Sequence, residues 1–335
     1  MLFRSAKEPE DRYFSMHDIV LDLRTPPVET AAASAQTSQW PWAITAACLA
    51  LSILAGSVWI RKPGEPRLPI KFDVNPPEGS QFDLINNYGG SAISPDGRTL
   101  AFVATNAKRE SLLYVRPLES LEARALPGTD GAAKPFWSPD GKSLGFVAGG
   151  KLKRIDLISG VPIALCDAHF ARGGTWSEEG VILFGDQNLG LQRIPASGGS
   201  PTPVTKLDRE SGESSHYYPQ FLPGGKQFLY LVRHVETEKM GIYLGGLDGR
   251  KATRIGSSEY KAVYDSGSGR LLYLQSAGLL MAQTLELNPP RLTGDPTTLA
   301  QKIGVAQNNG YAEFSISNDG FLFYEIGRAS CRERV

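Results

Sequence analysis

The chain carries four histidines, His17, His169, His216 and His234, and their scatter gives none of the spacings with which imidazoles share a metal ion. Asp96, Asp140 and Asp319 are of the right type to bind Ca2+, but each stands alone in its turn. A Ca2+ loop alternates several acidic residues, so turn formation is the role these three aspartates support. There is no His-Glu-Xaa-Xaa-His, no Cys-Xaa-Xaa-Cys and no phosphate loop. The residues therefore imply no cofactor, and the chain as given reads as non-enzymatic. What remains is recognition. Four polar and aromatic stretches stand out: His169-Phe170-Ala171-Arg172, Ser215-His216-Tyr217-Tyr218, Glu259-Tyr260-Lys261 and Gln307-Asn308-Asn309. The binding candidates within them are His169, Arg172, His216, Tyr217, Tyr218, Tyr260 and Asn308. Taken singly, each is an ordinary solvated loop residue. They become a site only if the fold gathers them.

A repeat says how it would. Phe136-Trp137-Ser138-Pro139-Asp140-Gly141-Lys142-Ser143-Leu144-Gly145-Phe146-Val147 runs from an apolar stretch through a turn into an alternating stretch. Ala92-Ile93-Ser94-Pro95-Asp96-Gly97-Arg98-Thr99-Leu100-Ala101-Phe102-Val103 is a close copy. Proline presets φ, aspartate bonds nearby backbone, and glycine tolerates positive φ, so Pro95-Asp96-Gly97 and Pro139-Asp140-Gly141 read as hairpin turns. Weaker copies centre on Ser177, Leu222, Asp265 and Ser317, the one at Asp265 being faint. Successive spacings from Ser94 are 44, 39, 45, 43 and 52 residues. A period of roughly 40–45 residues is that of a four-stranded propeller blade. The expected fold is all-β, a propeller over residues 80–325 with about six blades visible and the set incomplete. Loops entering the innermost strands would surround one channel mouth and bring the candidate residues together there.

The N-terminal part differs. Residues 1–24 hold one amphipathic helix, with Ser15 as its cap and Met16, Ile19, Val20 and Leu23 at helical spacing. Residues 25–41 form a linker rich in Pro, Ala, Ser and Thr, with Glu29 its single charge. Residues 42–60 contain no charge and span roughly 28 Å as a helix, the depth of a hydrocarbon core. Trp40, Trp42 and Trp59 sit where an aromatic belt would place them. We therefore expect a single transmembrane helix, followed by a Pro-rich stem over 61–79. Arg61 and Lys62 just after the span favour a cytoplasmic propeller by the positive-inside rule. The 35 basic and 35 acidic residues balance, so a nucleic-acid partner, which needs a basic surface, is not expected. Cys48, Cys166 and Cys331 cannot build a disulfide framework.

Two resemblances add to this reading. Lys7-Glu8-Pro9-Glu10-Asp11-Arg12-Tyr13-Phe14-Ser15-Met16 resembles the C-terminal edge of a bacterial Ser/Thr protein kinase domain, with Arg12 matching the arginine that pairs with an Ala-Pro-Glu glutamate. No motif of kinase chemistry itself occurs in the chain. The Trp-Ser-Pro-Asp-Gly-Lys pattern resembles the PD40 or WD40-like repeats of TolB-type proteins, of prolyl-peptidase propellers and of membrane-anchored bacterial Ser/Thr kinases. Together with Pro76-Pro77-Glu78-Gly79, the layout is most similar to the last of these. That resemblance implies a single-pass protein of the bacterial inner membrane, with an extracytoplasmic sensor propeller for an unknown ligand or protein. It opposes the orientation favoured by Arg61 and Lys62, and we follow it, since large domains translocate with limited regard to a few charges. Two alternatives stand beside it: a membrane-anchored TolB-like scaffold without a kinase, and the propeller of a prolyl-peptidase-like hydrolase whose catalytic domain lies elsewhere. Residues 326–335, Ile-Gly-Arg-Ala-Ser-Cys-Arg-Glu-Arg-Val, resemble the translation of a sequencing adapter and are set aside from the fold.

Overall fold

In both strong copies Ser-Pro-Asp-Gly folds as a hairpin turn. Ser94 Oγ donates to Asp96 Oδ1 at 2.5 Å and accepts the Thr99 amide at 2.9 Å, while Asp96 Oδ1 accepts the Arg98 amide at 3.1 Å. Ser138, Asp140, Ser143 and Lys142 repeat this set at 2.6, 2.9 and 3.1 Å. Gly97 and Gly141 both have φ of +68°, the left-handed backbone that glycine adopts without a steric penalty. The aspartates are thus engaged in holding turns.

The computed structural model describes residues 74–82, 89–169, 171–276 and 278–326. The expected helix in 1–24, the linker 25–41, the membrane span 42–60, most of the stem and the tail from 327 onward lie outside the described residues, as does Phe170. Among the described residues no helix is long and apolar enough to cross a membrane.

Five repeats build antiparallel four-stranded blades. Blade 1 comprises Ser91–Ile93, Thr99–Asn106, Ser111–Pro117 and Arg124–Ala125, with Ser80–Phe82 added along the inner edge of Thr99–Asn106. Blade 2 comprises Ala133–Trp137, Ser143–Ala148, Lys151–Asp156 and Pro162–Asp167. Blade 3 comprises Ala171–Trp176, Val181–Asp186, Gly190–Pro195 and Thr202–Pro203. Blade 4 comprises Glu213–Phe221, Gln227–His234, Gly241–Gly246 and Thr253–Ser257. Blade 5 comprises Val263–Asp265, Arg270–Ser276, Leu279–Leu287 and Pro290–Ala300. The sixth repeat departs from the expected pattern. Among the described residues it contributes two short pairs, Val305–Ala306 with Tyr311–Ala312 and Phe314–Ile316 with Leu322–Tyr324. We treat these as a reduced blade 6.

Reduced as it is, blade 6 closes the ring. Each second strand alternates its side chains between two neighbours, as period two requires. Ala101 and Val103 face Leu144 and Phe146 of blade 2, while Leu100 and Phe102 face Phe321 and Phe323 of blade 6. Ile182 and Phe184 meet blade 2, and Leu183 meets Phe228 and Tyr230 of blade 4. Leu229 and Leu231 meet Leu271 of blade 5, and Leu272 and Leu274 meet Phe314 of blade 6. Phe102, Phe146, Phe184, Phe228 and Phe314 are fully buried, and burying each phenyl contributes about 1.5–3 kcal/mol. The cores therefore lie between blades, and the inner strands surround an axial channel.

Candidate functional site

The inner strands of blades 2, 3 and 4 each carry an irregularity just before their turn. Register shifts between Ala133 and Phe136, between Ala171 and Gly174, and between Tyr217 and Gln220. Lys134, Gly173 and Tyr218 occupy the same place in these bulges, with φ of +50°, +71° and +51°. A bulge re-aims a side chain, and holding a non-glycine residue there costs about 1–3 kcal/mol. Lys134 and Tyr218 are thereby turned onto the channel wall, where they line an axial cavity of about 230 Å3.

One ring closes this cavity at the end nearer the loops that enter the inner strands. Tyr311, only 7% exposed, has the Lys134 ammonium 3.4 Å from its ring centroid and the Lys261 ammonium at 4.4 Å. Its centroid lies 5.4 Å from that of Tyr218, and its hydroxyl donates to Glu313 Oε1 at 3.3 Å. Tyr311 thus touches residues of blades 2, 4 and 5 at once, and the Ser91 backbone of blade 1 hydrogen-bonds its hydroxyl. Burial pushes both tyrosine hydroxyls up, so they stay protonated at ordinary pH. Burial pushes the Lys261 ammonium down to about 8, partly offset by Glu313. Glu313, 2% exposed, also accepts from Ser91 Oγ at 2.6 Å and faces the seam between blades 6 and 1.

The other end is accessible. Next to the plug Lys134 and Tyr218 are buried and Gly173 and Lys261 half-buried, while Ala92, Thr175, Gln220, Val263 and Ser315, two residues nearer their turns, are all half-buried. Phe136, Trp137, Ile93, Phe314 and Ile316 give this part of the wall an apolar character. Lys134 and Lys261 are the charged residues among the described cavity lining. Tyr218 Oη and Arg172 Nε are buried and have no hydrogen-bond partner among the described residues. The arrangement can hold a small ligand between the plug and the turns.

The seven binding candidates do not come together as one mouth. Tyr218 alone lines the cavity. Arg172, His216, Tyr217 and Tyr218 lie in inner strands and not in entry loops. His216 is 2% exposed, bridging Thr205 Oγ1 at 2.7 Å and Glu213 Oε2 at 3.1 Å with its ring edge-on to Tyr230. Tyr217 packs in the core between blades 4 and 5, and Tyr260 in that between blades 5 and 6. His169 and Asn308 are exposed. Lys134 and Tyr311 were not candidates from the sequence, and Lys261 stood in the stretch Glu259-Tyr260-Lys261 without being singled out. A signal for the lysines was present, since each precedes the first residue of its turn, Ser138 or Asp265, by four positions. Among the described residues no group of three or more His, Cys, Asp or Glu side chains is arranged to hold a metal ion.

No family model matches the chain. It is 31% identical over 147 residues to the uncharacterized peptidase YuxL of Bacillus subtilis (strain 168), a match covering 43% of this chain and 22% of that protein. The match thus spans under a quarter of that relative's length. Among solved structures, the chain is similar to TolB from Acinetobacter baumannii, with a TM-score of 0.52 and 15% identity over 67% of this chain and 55% of that one. It is also similar to a putative TolB from Agrobacterium tumefaciens, with a TM-score of 0.52 and 18% identity over 71% of this chain and 88% of that one. The fold is that of a TolB-like β-propeller.

Proposed function

We propose that this chain is the ligand-binding propeller of a membrane-anchored signalling protein, and that the axial cavity is its binding site. The observation that carries the reading is the cavity itself: closed by Tyr311 at one end, accessible at the other, with two lysines over the Tyr311 ring and an apolar collar. Membrane anchoring and a Ser/Thr kinase parent rest on residues 42–60 and on the resemblance of residues 7–16, with the propeller on the extracytoplasmic side. A reporter fused after Val335 tests the orientation, and activity of a cytoplasm-only reporter would contradict it.

The binding reading is tested on the full chain in detergent, with a library of small organic fragments followed by ligand-observed NMR. Val263→Phe enlarges a half-buried side chain of the cavity lining and narrows the cavity. Fragments bound by the wild type are expected to be lost in a folded Val263→Phe variant. Undiminished binding would remove the cavity as the site.

A second reading is favoured by the 31% identity to the peptidase relative: a propeller serving a hydrolase. Sequencing the complete open reading frame separates the two, kinase codons upstream favouring the first and a Gly-Xaa-Ser-Xaa-Gly downstream the second.

A further inference from the structure

We propose that Lys261 is a covalent capture site for small apolar aldehydes, its side-chain amine condensing with the carbonyl inside the axial cavity to form a reversible imine. This rests on the reading of the cavity as a binding site and names the ligand class and the atom that holds it.

Geometry sets Lys261 apart from the lysines that serve as ion-pair partners. Lys151 and Lys239 meet the carboxylates of Asp167 and Glu236. The Lys261 ammonium has no hydrogen bond or ion pair among the described residues, and its neighbours are the rings of Tyr311 and Phe314, with centroids at 4.4 and 5.1 Å. The side chain is half-buried in the cavity wall. Among the described residues, the buried polar side-chain atoms without a partner are Arg172 Nε and Tyr218 Oη, and Lys261 Nζ is not one of them. The nitrogen is therefore open to a molecule that enters the cavity.

The surroundings favour the free amine. An apolar setting disfavours the ammonium, and a desolvated lysine is an activated nucleophile. At about 8 against the ordinary 10.5, Lys261 holds roughly two hundredfold more neutral amine at pH 7.5 than an ordinary lysine. The titratable and charged groups around it are Tyr311 and Glu313 of blade 6, Lys134 across the Tyr311 ring, Tyr218 beside that ring, and Glu259 and Tyr260 in its own segment with Arg233 on the Glu259 carbonyl. Tyr311 and Tyr218 stay protonated well above pH 8.

The condensation balances without a co-reactant. The ammonium gives a proton to water, and the nitrogen lone pair then adds to the carbonyl carbon while the carbonyl π pair moves to oxygen. Proton transfer gives a carbinolamine, whose oxygen leaves as water as the remaining N–H proton is lost and C=N forms. Nothing is oxidised or reduced, and water adding back to C=N releases the aldehyde. The wall selects the body: Ile93, Phe136, Trp137 and Phe314 are apolar, and the described lining has no carboxylate. At about 230 Å3, below the roughly 300–1,000 Å3 usual for drug-sized ligands, the cavity suits a single ring.

The test is reductive trapping of the full chain in detergent at pH 7.5, with benzaldehyde and cyanoborohydride and the labelled sites read by peptide mass spectrometry. Lys108 and Lys226, both exposed, are the references. Lys261 should be labelled about tenfold or more faster than either, with a rate that levels off above pH 8 while the references still climb. The preference for Lys261 should shrink with glyceraldehyde, which is polar, and the Lys261 rate should fall in Val263→Phe. Lys261→Arg should lose the fast phase of incorporation. Labelling of Lys261 no faster than the references would overturn the proposal, and fragment binding lost in Val263→Phe would still stand as evidence for the cavity. An equal preference with both aldehydes would overturn the apolar ligand class. Fast labelling unchanged in Val263→Phe would mean that the amine is reached from outside the cavity, and a fast phase that persists in Lys261→Arg would mean that another amine carries it; either result contradicts capture at this site.

Discussion

Ser315 Oγ accepts the Ile93 amide at 3.0 Å, joining the last inner strand of the ring to the first across 222 residues of sequence. The same position makes the same stitch elsewhere. Thr175 Oγ1 accepts the Phe221 amide at 3.1 Å between blades 3 and 4, and Gln220 Oε1 accepts the Tyr264 amide at 2.6 Å between blades 4 and 5. Each is a side chain two residues before the turn, bonding the backbone one residue before the turn of the following blade. Removing the acceptor strands a partly buried N–H, which costs about 1–3 kcal/mol. Ser315→Ala should therefore lower unfolding stability by that amount, read from chemical denaturation, and Ser315→Thr should restore most of it. Equal stability of Ser315→Ala and wild type would mean that the stitch does not hold the ring closed.

Gly145 and Gly174 make room for one phenyl ring. A Cβ on Gly145 would lie 2.2 Å from Phe136 Cζ, and one on Gly174 would lie 2.5 Å from Phe136 Cε1. Overpacking of this kind costs about 1–3 kcal/mol or more. Gly145→Ala should be destabilising by at least that range, and pairing it with Phe136→Leu should recover part of the loss. A neutral Gly145→Ala melting curve would contradict the packing described between blades 2 and 3.

Lys261 gives stability a distinctive pH signature. Its folded value of about 8 lies below the ordinary 10.5, so the unfolded chain binds more protons between those limits, and stability from this group rises with pH across them. Cys166, raised from 9.0 to about 11 mainly by burial, acts with the opposite sign above pH 9, and the buried tyrosines do so above 10. The difference between wild type and Lys261→Met cancels those shared terms. That difference should move in favour of wild type from pH 8 to 10, measured by thermal melts. A flat difference would mean that the fold does not weaken Lys261 as a base.

The turn aspartates act at the other end of the scale. Hydrogen bonds from Ser138 Oγ and then from the Lys142 amide hold the Asp140 carboxyl below its ordinary 3.8. Asp96 is lowered in the same way by Ser94 and the Arg98 amide. A lowered carboxyl stabilises the fold above its unfolded value, and the contribution is lost as pH falls through the folded one. Asp140→Asn should therefore lower stability at neutral pH and make the remaining stability less sensitive to acid below about pH 4. Melts at pH 2, 4 and 7 read both effects, and an acid profile parallel to wild type would contradict this role of Asp140.

The turns and the period were legible because they rest on local chemistry. Ser94, Asp96, Ser138 and Asp140 bond within five residues of themselves, so their function is written in a short window. Blade 5 read as faint because Asp265 replaces the serine, yet its carboxylate accepts from the Gly267 amide at 3.0 Å and from Ser268 Oγ, making an equivalent turn from different residues. The site was less legible. Lys134 and Tyr218 face the channel because of left-handed bulges, a conformation that few non-glycine residues adopt and that composition does not announce. Tyr311 reaches the axis through contacts with residues some 50 to 180 positions away, which no local pattern encodes. His216, polar and set between aromatics, read as a recognition residue but spends both ring nitrogens inside the fold.

Methyl NMR on the full chain with labelled isoleucines tests the location of binding most directly. Ile93 and Ile316 line the axial cavity, whereas Ile158 and Ile163 are exposed at the outer edge of blade 2. On titration at pH 7 with a fragment found in that library, a ligand held in the cavity shifts Ile93 and Ile316, leaves Ile158 and Ile163 in place, and loses its effect in Val263→Phe. Shifts at Ile158 and Ile163 with Ile93 and Ile316 unmoved would contradict binding in the channel.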